Sequence, residues 1–501
     1  MEPNLIVLLA VCSLIGLLLV GVPISISLAS SGIVGLLLLR GADVTGSVIA
    51  GTTYTAVAKG SLIVVPMFVL MGMFTLHSGI AERLFAIASR GLKWLPGGLG
   101  IATVFSAAGF GAISGSSLAT VATLGRTCIT EMMRHGYQRQ FAAATVAVSG
   151  TLAVLIPPSI ILILYGVITG ESIGSLLIAG IIPGILSAIV LGAMVCLRAW
   201  RNPSLVNSFD AKAFALATGD VRPAHVSTRA AVGGPKGASP RREATVGGDG
   251  SDGASVATDV LDATEPEGAR SGPPMLELTL GGALRAVIGV VVLFTIVIGG
   301  IYSGVFTPTE SAAVGAFAAF LLMCLQYRSR PRELGRKTSE ALRETVSLNA
   351  MIFMILIGAG IFSFFLVSAG TPSALSAAIV AMPLPPTLIV IFLLLFLVPL
   401  GMFLDSISLL VITVPLVYGP ITDLGFDGIW LGILVVKLIE IGMVTPPVGM
   451  NAFVTAGTIR GLEIDEVFRG LIPFYLADVI LVAMFFAMPD LVTWLPELMG
   501  T

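Results

Sequence analysis

"FGAISGSSLAT", Phe110–Thr120, decides how this chain is read. Two glycines, three serines and a threonine sit inside a strongly apolar block, residues 97–133. A span needs roughly 20 apolar residues, so this block is too long for one crossing and short for two. Its small, polar centre suits the tip of a hairpin that enters and leaves on one side. The basic residues agree. Arg90 and Lys93 precede the block, and Arg134 and Arg139 follow it. Basic flanks mark the cytoplasmic side, so both ends of the block belong there.

A second block, 384–419, is one residue shorter and also has a polar centre, "DSIS" after "GMF". Its flanks, "MPLPP" and "YGPITDLGFDG", contain no Lys or Arg, which puts both its ends outside. Ser114 and Asp405 lie 291 positions apart, as do Gly79 and Gly370, while Pro157 and Pro446 lie 289 apart. Landmarks at one offset, with hairpins opening to opposite sides, are the mark of an inverted-topology repeat.

Composition supports a bilayer setting. The chain has 501 residues, 56% hydrophobic and 11% charged, with mean hydropathy +1.00. Soluble domains carry about 25% charged residues. A net charge of −2 gives no reason to expect nucleic acid. The four cysteines (Cys12, Cys128, Cys196, Cys324) form no paired motif, and the three histidines form no ligand set. Glu2 stands where a signal peptide wants a basic residue, so residues 4–20 read as a retained span.

Further spans are expected at 22–39, 61–80, 141–167, 176–197, 281–303, 309–327, 347–369, 429–456 and 472–488. Residues 4–20 and 22–39 are joined only by Gly21-Val22-Pro23, so one long kinked helix is an alternative. Residues 202–275 hold 16 of the chain's 56 charged residues and few large apolar ones. They read as a disordered cytoplasmic linker between a first membrane repeat, 1–201, and a second, 276–501. Both termini come out periplasmic on this topology. Arg40 and Lys59 then fall outside, against the trend of the other basic residues.

Segments 141–167 and 429–456 each carry a double proline. Proline lacks an N–H and clashes with the preceding turn, so the helix opens there. Opened carbonyls must find partners in hydrocarbon, and sodium is a natural one. Each hairpin tip is expected to meet the broken helix of its own half, giving two ion sites. Asp405 is the sharpest polar residue, read as a cation ligand, an N-cap for the helix from Ser406, or both. Glu440 and Lys437 lie three apart on one helix and read as a structural pair. Glu310 reads as a helix N-terminal carboxylate following Thr309. Ile80–Trp94 is amphipathic and reads as an arm at the cytoplasmic interface, anchored by Trp94.

With these residues in hand, the chain resembles the large membrane subunit (DctM-type) of a tripartite ATP-independent periplasmic (TRAP) transporter. The stretches that carry the likeness are "PMFVLMG" (66–72), "PGGLGIATVFSAAGFGAISGSSLAT" (96–120), "GTLAVLIPPSI" (150–160), "AGIIPGIL" (179–186), "GGIYSGVFTPTESAAVGA" (299–316), "GMFLDS" (401–406) and "TPPVGMNAFV" (445–454). The linker is longer than the family pattern, and Ala153 stands where the family usually shows glycine.

The resemblance implies an all-α integral membrane protein similar to the ion-transporter superfamily, with an elevator-type moving part. It implies sodium-coupled import of an organic acid, such as a dicarboxylate or sialic acid, across the bacterial inner membrane, with no catalysis and no cofactor beyond sodium. A periplasmic (DctP-type) binding protein delivers the substrate, and a separate four-span (DctQ-type) subunit is expected because the chain starts with the large subunit's first span. Carried onto matching positions, one sodium falls near Ser114, Ser116, Gly150 and Thr151. The second falls near Asp405, Gly442, Thr445 and Met450, and the substrate near Ser117, Pro157, Pro446 and Asn451. A binding-protein-independent carboxylate symporter, a tricarboxylate-type tripartite relative and a passive channel are the alternatives. An intramembrane hydrolase using Ser114 or Ser116 would need a base within hydrogen-bond reach, and neither His77 nor His135 shares a motif with a serine.

Overall fold

Glycine and proline set most element boundaries. The computed structural model describes residues 2–208, 280–380 and 382–498. Among these, every regular element is helical. Six helices are long and apolar enough to cross a bilayer, and the bent pair Arg139–Leu155 and Ile160–Thr169 makes a seventh candidate.

One set of helices forms a framework. Pro3–Leu19 and Ile24–Arg40 are two helices packed on each other, not one kinked rod. Gly21 between them has φ +85°, a conformation that other L residues adopt only at a cost. Ala42–Val57 is a helix that hydropathy alone does not announce. Its hydroxyls hide their polarity along the helix itself: Thr45 Oγ1 donates to the Gly41 carbonyl at 2.7 Å and Thr53 Oγ1 to the Ile49 carbonyl at 2.6 Å.

Pro331–Ser368 is a single helix of 38 residues, about 57 Å at 1.5 Å per residue. The expected span, 347–369, is only its apolar end; the basic stretch before it continues the same helix. It lies along Ile24–Arg40 at very close range, since a methyl on Gly32 would fall 2.9 Å from Phe362 Cα. Gly60–His77 and Pro308–Tyr327 complete the wall. Pro308–Tyr327 is capped by Thr307, with Glu310 as the N-terminal carboxylate expected from sequence. Thr307 N donates to Glu310 Oε2 at 2.8 Å and Glu310 N donates to Thr307 Oγ1 at 3.3 Å.

The second set bears the site. Both halves run in the same order. A left-handed glycine (Gly79, Gly370) leads into a short helix (Ile80–Leu92, Thr371–Val380), then a hairpin, a broken helix and a long helix. The hairpins are Gly98–Ser114 with Ser117–Arg134, and Pro386–Gly401 with Ser406–Asp423. The long helices are Ile173–Arg201 and Ile464–Ala487. The helix Ile80–Leu92 buries Ile80, Leu84 and Phe85 against the first hairpin, while Trp94 is exposed.

Ile464–Ala487 is bolted to its neighbours by polar links. Lys437 Nζ and Asp478 Oδ1 lie 2.6 Å apart, both buried; Arg139 pairs with Glu466; Arg198 donates to the Gly470 carbonyl at 3.0 Å. Residues 202–208, the start of the expected linker, fold back onto the first hairpin's exit. Gln138 N donates to the Leu205 carbonyl and Ser208 N to the Gly136 carbonyl, each at 2.8 Å. Residues 209–279, the bulk of that linker, lie outside the described residues.

Candidate functional site

Each hairpin tip meets the broken helix of its own half through small residues. At the first tip, Gly115 takes φ +60° and ends Gly98–Ser114. Ser116 caps the next helix, accepting from Ala119 N at 3.3 Å. Thr120 Oγ1 donates to the Ser116 carbonyl at 2.8 Å and lies 3.1 Å from Ser114 Oγ. Gly150 on the broken helix faces this tip: a methyl there would lie 3.2 Å from the Ser117 carbonyl oxygen. Thr151 Oγ1 donates to the Val148 carbonyl at 2.7 Å. Ser114, Ser116, Gly150 and Thr151 thus come to one neighbourhood. Ala153 is accommodated because Gly111 stands opposite, where a methyl would fall 2.6 Å from Ala153 Cβ.

The second tip is built alike. Gly401 and Gly442 touch back to back; a methyl on Gly442 would sit 2.7 Å from Gly401 Cα. Gly449 N donates to the Met402 carbonyl at 3.1 Å, fastening the tip to the break. Thr445 N donates to the Gly442 carbonyl at 3.0 Å, and Met450 opens the outgoing helix Met450–Thr458. Asp405 is the N-cap of Ser406–Asp423. Its Oδ2 accepts from Ser408 N at 3.2 Å, and its Oδ1 from the Ser408 hydroxyl. The simple capping role read from sequence is therefore present.

The breaks free backbone carbonyls. In an intact helix Ala153 and Val154 would bond the N–H groups of residues 157 and 158, and Met443 that of residue 447. Those positions are proline, so the donors do not exist.

The expected substrate residues divide. Ser117 and Asn451 are buried at the centre; Pro157 is buried against Gly180, and Pro446 is exposed. What joins the centre is Glu440, which the sequence reading paired with Lys437. Lys437 instead binds Asp478, forty-one residues on. Glu440 Oε1 accepts from Ser406 Oγ at 2.8 Å and from Ser117 Oγ at 3.3 Å. These serines are the first residues of the second helix of each hairpin, so one carboxylate ties both tips together. Asn451 stands beside it. Glu440 Oε2 and both polar side-chain atoms of Asn451 are buried with no partner among the described residues. The signal in sequence was Glu440's place five residues before the Thr445-Pro446-Pro447 break.

Neither histidine reaches the tip serines by hydrogen bond. His77 contacts Glu344 at 3.1 Å and His135 the Glu131 carbonyl at 2.9 Å.

The comparisons agree with this architecture. Residues 11–491 match the model of the family described as "Tripartite ATP-independent periplasmic transporter, DctM component". The chain is 30% identical to the C4-dicarboxylate TRAP transporter large permease protein DctM of Vibrio cholerae, covering 97% of this chain and 96% of that one. It is 29% identical to the ectoine TRAP transporter large permease protein TeaC of Halomonas elongata, covering 97% and 98%. It is 28% identical to the sialic acid protein SiaM of Vibrio cholerae, covering 97% of each. In fold it is similar to the Alcanivorax borkumensis YdaH transporter, with TM-score 0.54, 12% identity and coverage of 91% and 90%. A family match across nearly the whole chain, on a framework of membrane-length helices, makes this protein a large permease of the DctM family of TRAP transporters.

Proposed function

We propose that this permease imports an organic acid with a sodium gradient, taking it from a periplasmic binding protein. The hairpins are re-entrant, the halves are inverted repeats, and the site-bearing part slides against the framework as an elevator. The observation that carries this reading is the meeting of both tips and Asn451 at Glu440. Two helix N-termini converge there, and such ends favour anions. Two protein carboxylates, Glu440 and Asp405, already occupy the region. An approaching organic anion meets their repulsion until cations load. That order, cations first and anion second, is what couples the two fluxes.

The two tip neighbourhoods suit sodium, a hard cation served by hydroxyls and opened carbonyls. The first would use Ser114, Ser116, Gly150 and Thr151; the second Asp405, Gly442, Thr445 and Met450. Ser117 and Asn451 face the substrate. The relatives' names point to C4-dicarboxylates, sialic acid and ectoine as substrates to try first. The partners are a small membrane subunit and a binding protein, and a related permease is named DctMQ. The setting is the inner membrane, with both termini periplasmic.

The test is uptake into proteoliposomes holding this chain, its small subunit and the loaded binding protein. Uptake that needs both the binding protein and inward sodium is expected. Equal uptake with sodium replaced by choline would overturn the coupling, and uptake without the binding protein would overturn the tripartite delivery.

A further inference from the structure

A cavity of about 420 Å³ lies in the seam between the framework and the site-bearing part. Its walls come from Ala42–Val57 and Pro331–Ser368 on one side, and from Ile160–Thr169 and Ser406–Asp423 on the other. The volume falls in the roughly 300–1,000 Å³ range of small-molecule sites. Most of the lining is apolar, with Leu356 and Val411 typical.

Lys59 is the cationic residue of this lining. Its ammonium has no carboxylate within ion-pair reach among the described residues. It reaches the Val167 carbonyl only at 3.5 Å, a long bond to the last turn of Ile160–Thr169. A lysine near a helix C-terminus is a favourable structural arrangement, but it engages one of three N–H groups. Tyr418, also in the lining, donates its hydroxyl to Glu171 Oε1 at 2.6 Å. Ser363, also in the lining, makes no hydrogen bond among the described residues. An exposed ammonium without a carboxylate partner and a free hydroxyl, on a mostly apolar lining, fit a small molecule with one anionic end and an apolar body.

We infer that this chamber is a docking station for the substrate's carboxylate, held by Lys59 and steadied by Ser363, separate from the hairpin tips. The inference rests on the organic-acid reading above. The charges have a logic: the cation is at the edge of the framework, while Asp405 and Glu440 sit on the site-bearing part. The anion is therefore held at the seam until the tips have taken up cations.

The test reads Lys59 directly, without transport. The full chain in phosphatidylcholine nanodiscs is acetylated with a water-soluble succinimidyl ester, and each lysine is followed by peptide mass spectrometry. Sodium succinate and sodium butyrate are compared with sodium chloride at matched ionic strength. At least one of the two carboxylates should slow acetylation of Lys59 by about fivefold, the upper end for an exposed ion pair, while leaving Lys93, likewise exposed, unchanged. Equal rates in all three salts would overturn the inference. Slowing that appears only when phosphatidylglycerol is added would also overturn it, by assigning the chamber to a lipid phosphate. In uptake, Lys59→Gln should raise KM about fivefold at unchanged Vmax, and Lys59→Arg should restore it. Wild-type KM in Lys59→Gln would refute the station. Absence of sodium-driven uptake in the unmodified protein would instead strike the transport reading, and the acetylation result would stand on its own.

Discussion

Replacing Glu440 tests whether one carboxylate holds the two hairpin tips together. Its Oε1 takes hydrogen bonds from Ser406 at 2.8 Å and Ser117 at 3.3 Å. Bonds to a charged acceptor contribute about 1.5–3 kcal/mol each, and the longer one falls at the low end. Removing a buried charge returns part of that, because Lys437 makes its ion pair with Asp478 and none with Glu440. Glu440→Ala should therefore destabilise the protein by about 1–3 kcal/mol, the net of two stranded hydroxyls against one removed charge. Glu440→Gln keeps an acceptor oxygen in place and should stay within about 1 kcal/mol of the parent. The assay is thermal unfolding of the purified protein in detergent, followed by tryptophan fluorescence. Ser406→Ala and the Ser406→Ala/Glu440→Ala double variant close the cycle, and the double should fall short of additivity by about 0.5–3 kcal/mol. A parent-like midpoint for Glu440→Ala, or strict additivity, would refute the tie. Uptake separates structure from coupling: Glu440→Gln should fold normally and lose sodium-driven transport.

Other expectations follow from the same contacts. Gly442→Ala places a methyl 2.7 Å from Gly401 Cα, so the second tip must shift; uptake should disappear while membrane insertion persists, and normal uptake would contradict the close fit. Lys437→Met strands buried Asp478 and should cost about 3–5 kcal/mol, with Lys437→Met/Asp478→Leu recovering most of it in the same melting assay. Asp405→Asn preserves the helix cap, so it should melt like the parent yet respond less to sodium; an unchanged sodium response would leave Asp405 a cap and nothing more.

Sequence told most about the parts built on unusual backbone. Pro157-Pro158 and Pro446-Pro447 are doubled prolines that each remove two successive N–H donors, and Gly115 and Gly449 supply the left-handed turns, so both tips and both breaks could be placed by eye, whereas the single prolines Pro415, Pro420 and Pro473 stay within helices. Ala42–Val57 was harder to see because its hydroxyls spend their polarity on the preceding turn, which a hydropathy window does not register. The 38-residue helix was underestimated for the opposite reason: hydropathy ends at the membrane face and the helix does not. Glu440 was misread because spacing ranks local partners. A lysine one turn away is the obvious match along a helix, and only the fold reveals that Asp478 has already taken it. Glu310 was read correctly as a helix N-terminal carboxylate, since Thr307 and Glu310 stand three apart as a capping box requires.

The links that hold Ile464–Ala487 bear on where labels can be put. Lys437, Arg139 and Arg198 fasten this helix to parts of both halves. In a low-dielectric interior such bonds do not slip past one another; they move with their owners or break. On the elevator motion proposed above, the C-terminal end of the described chain therefore travels with the site-bearing part. A fluorophore there, paired with one on Pro3–Leu19, would then report that motion as a change in distance, and a constant distance during uptake would count against it.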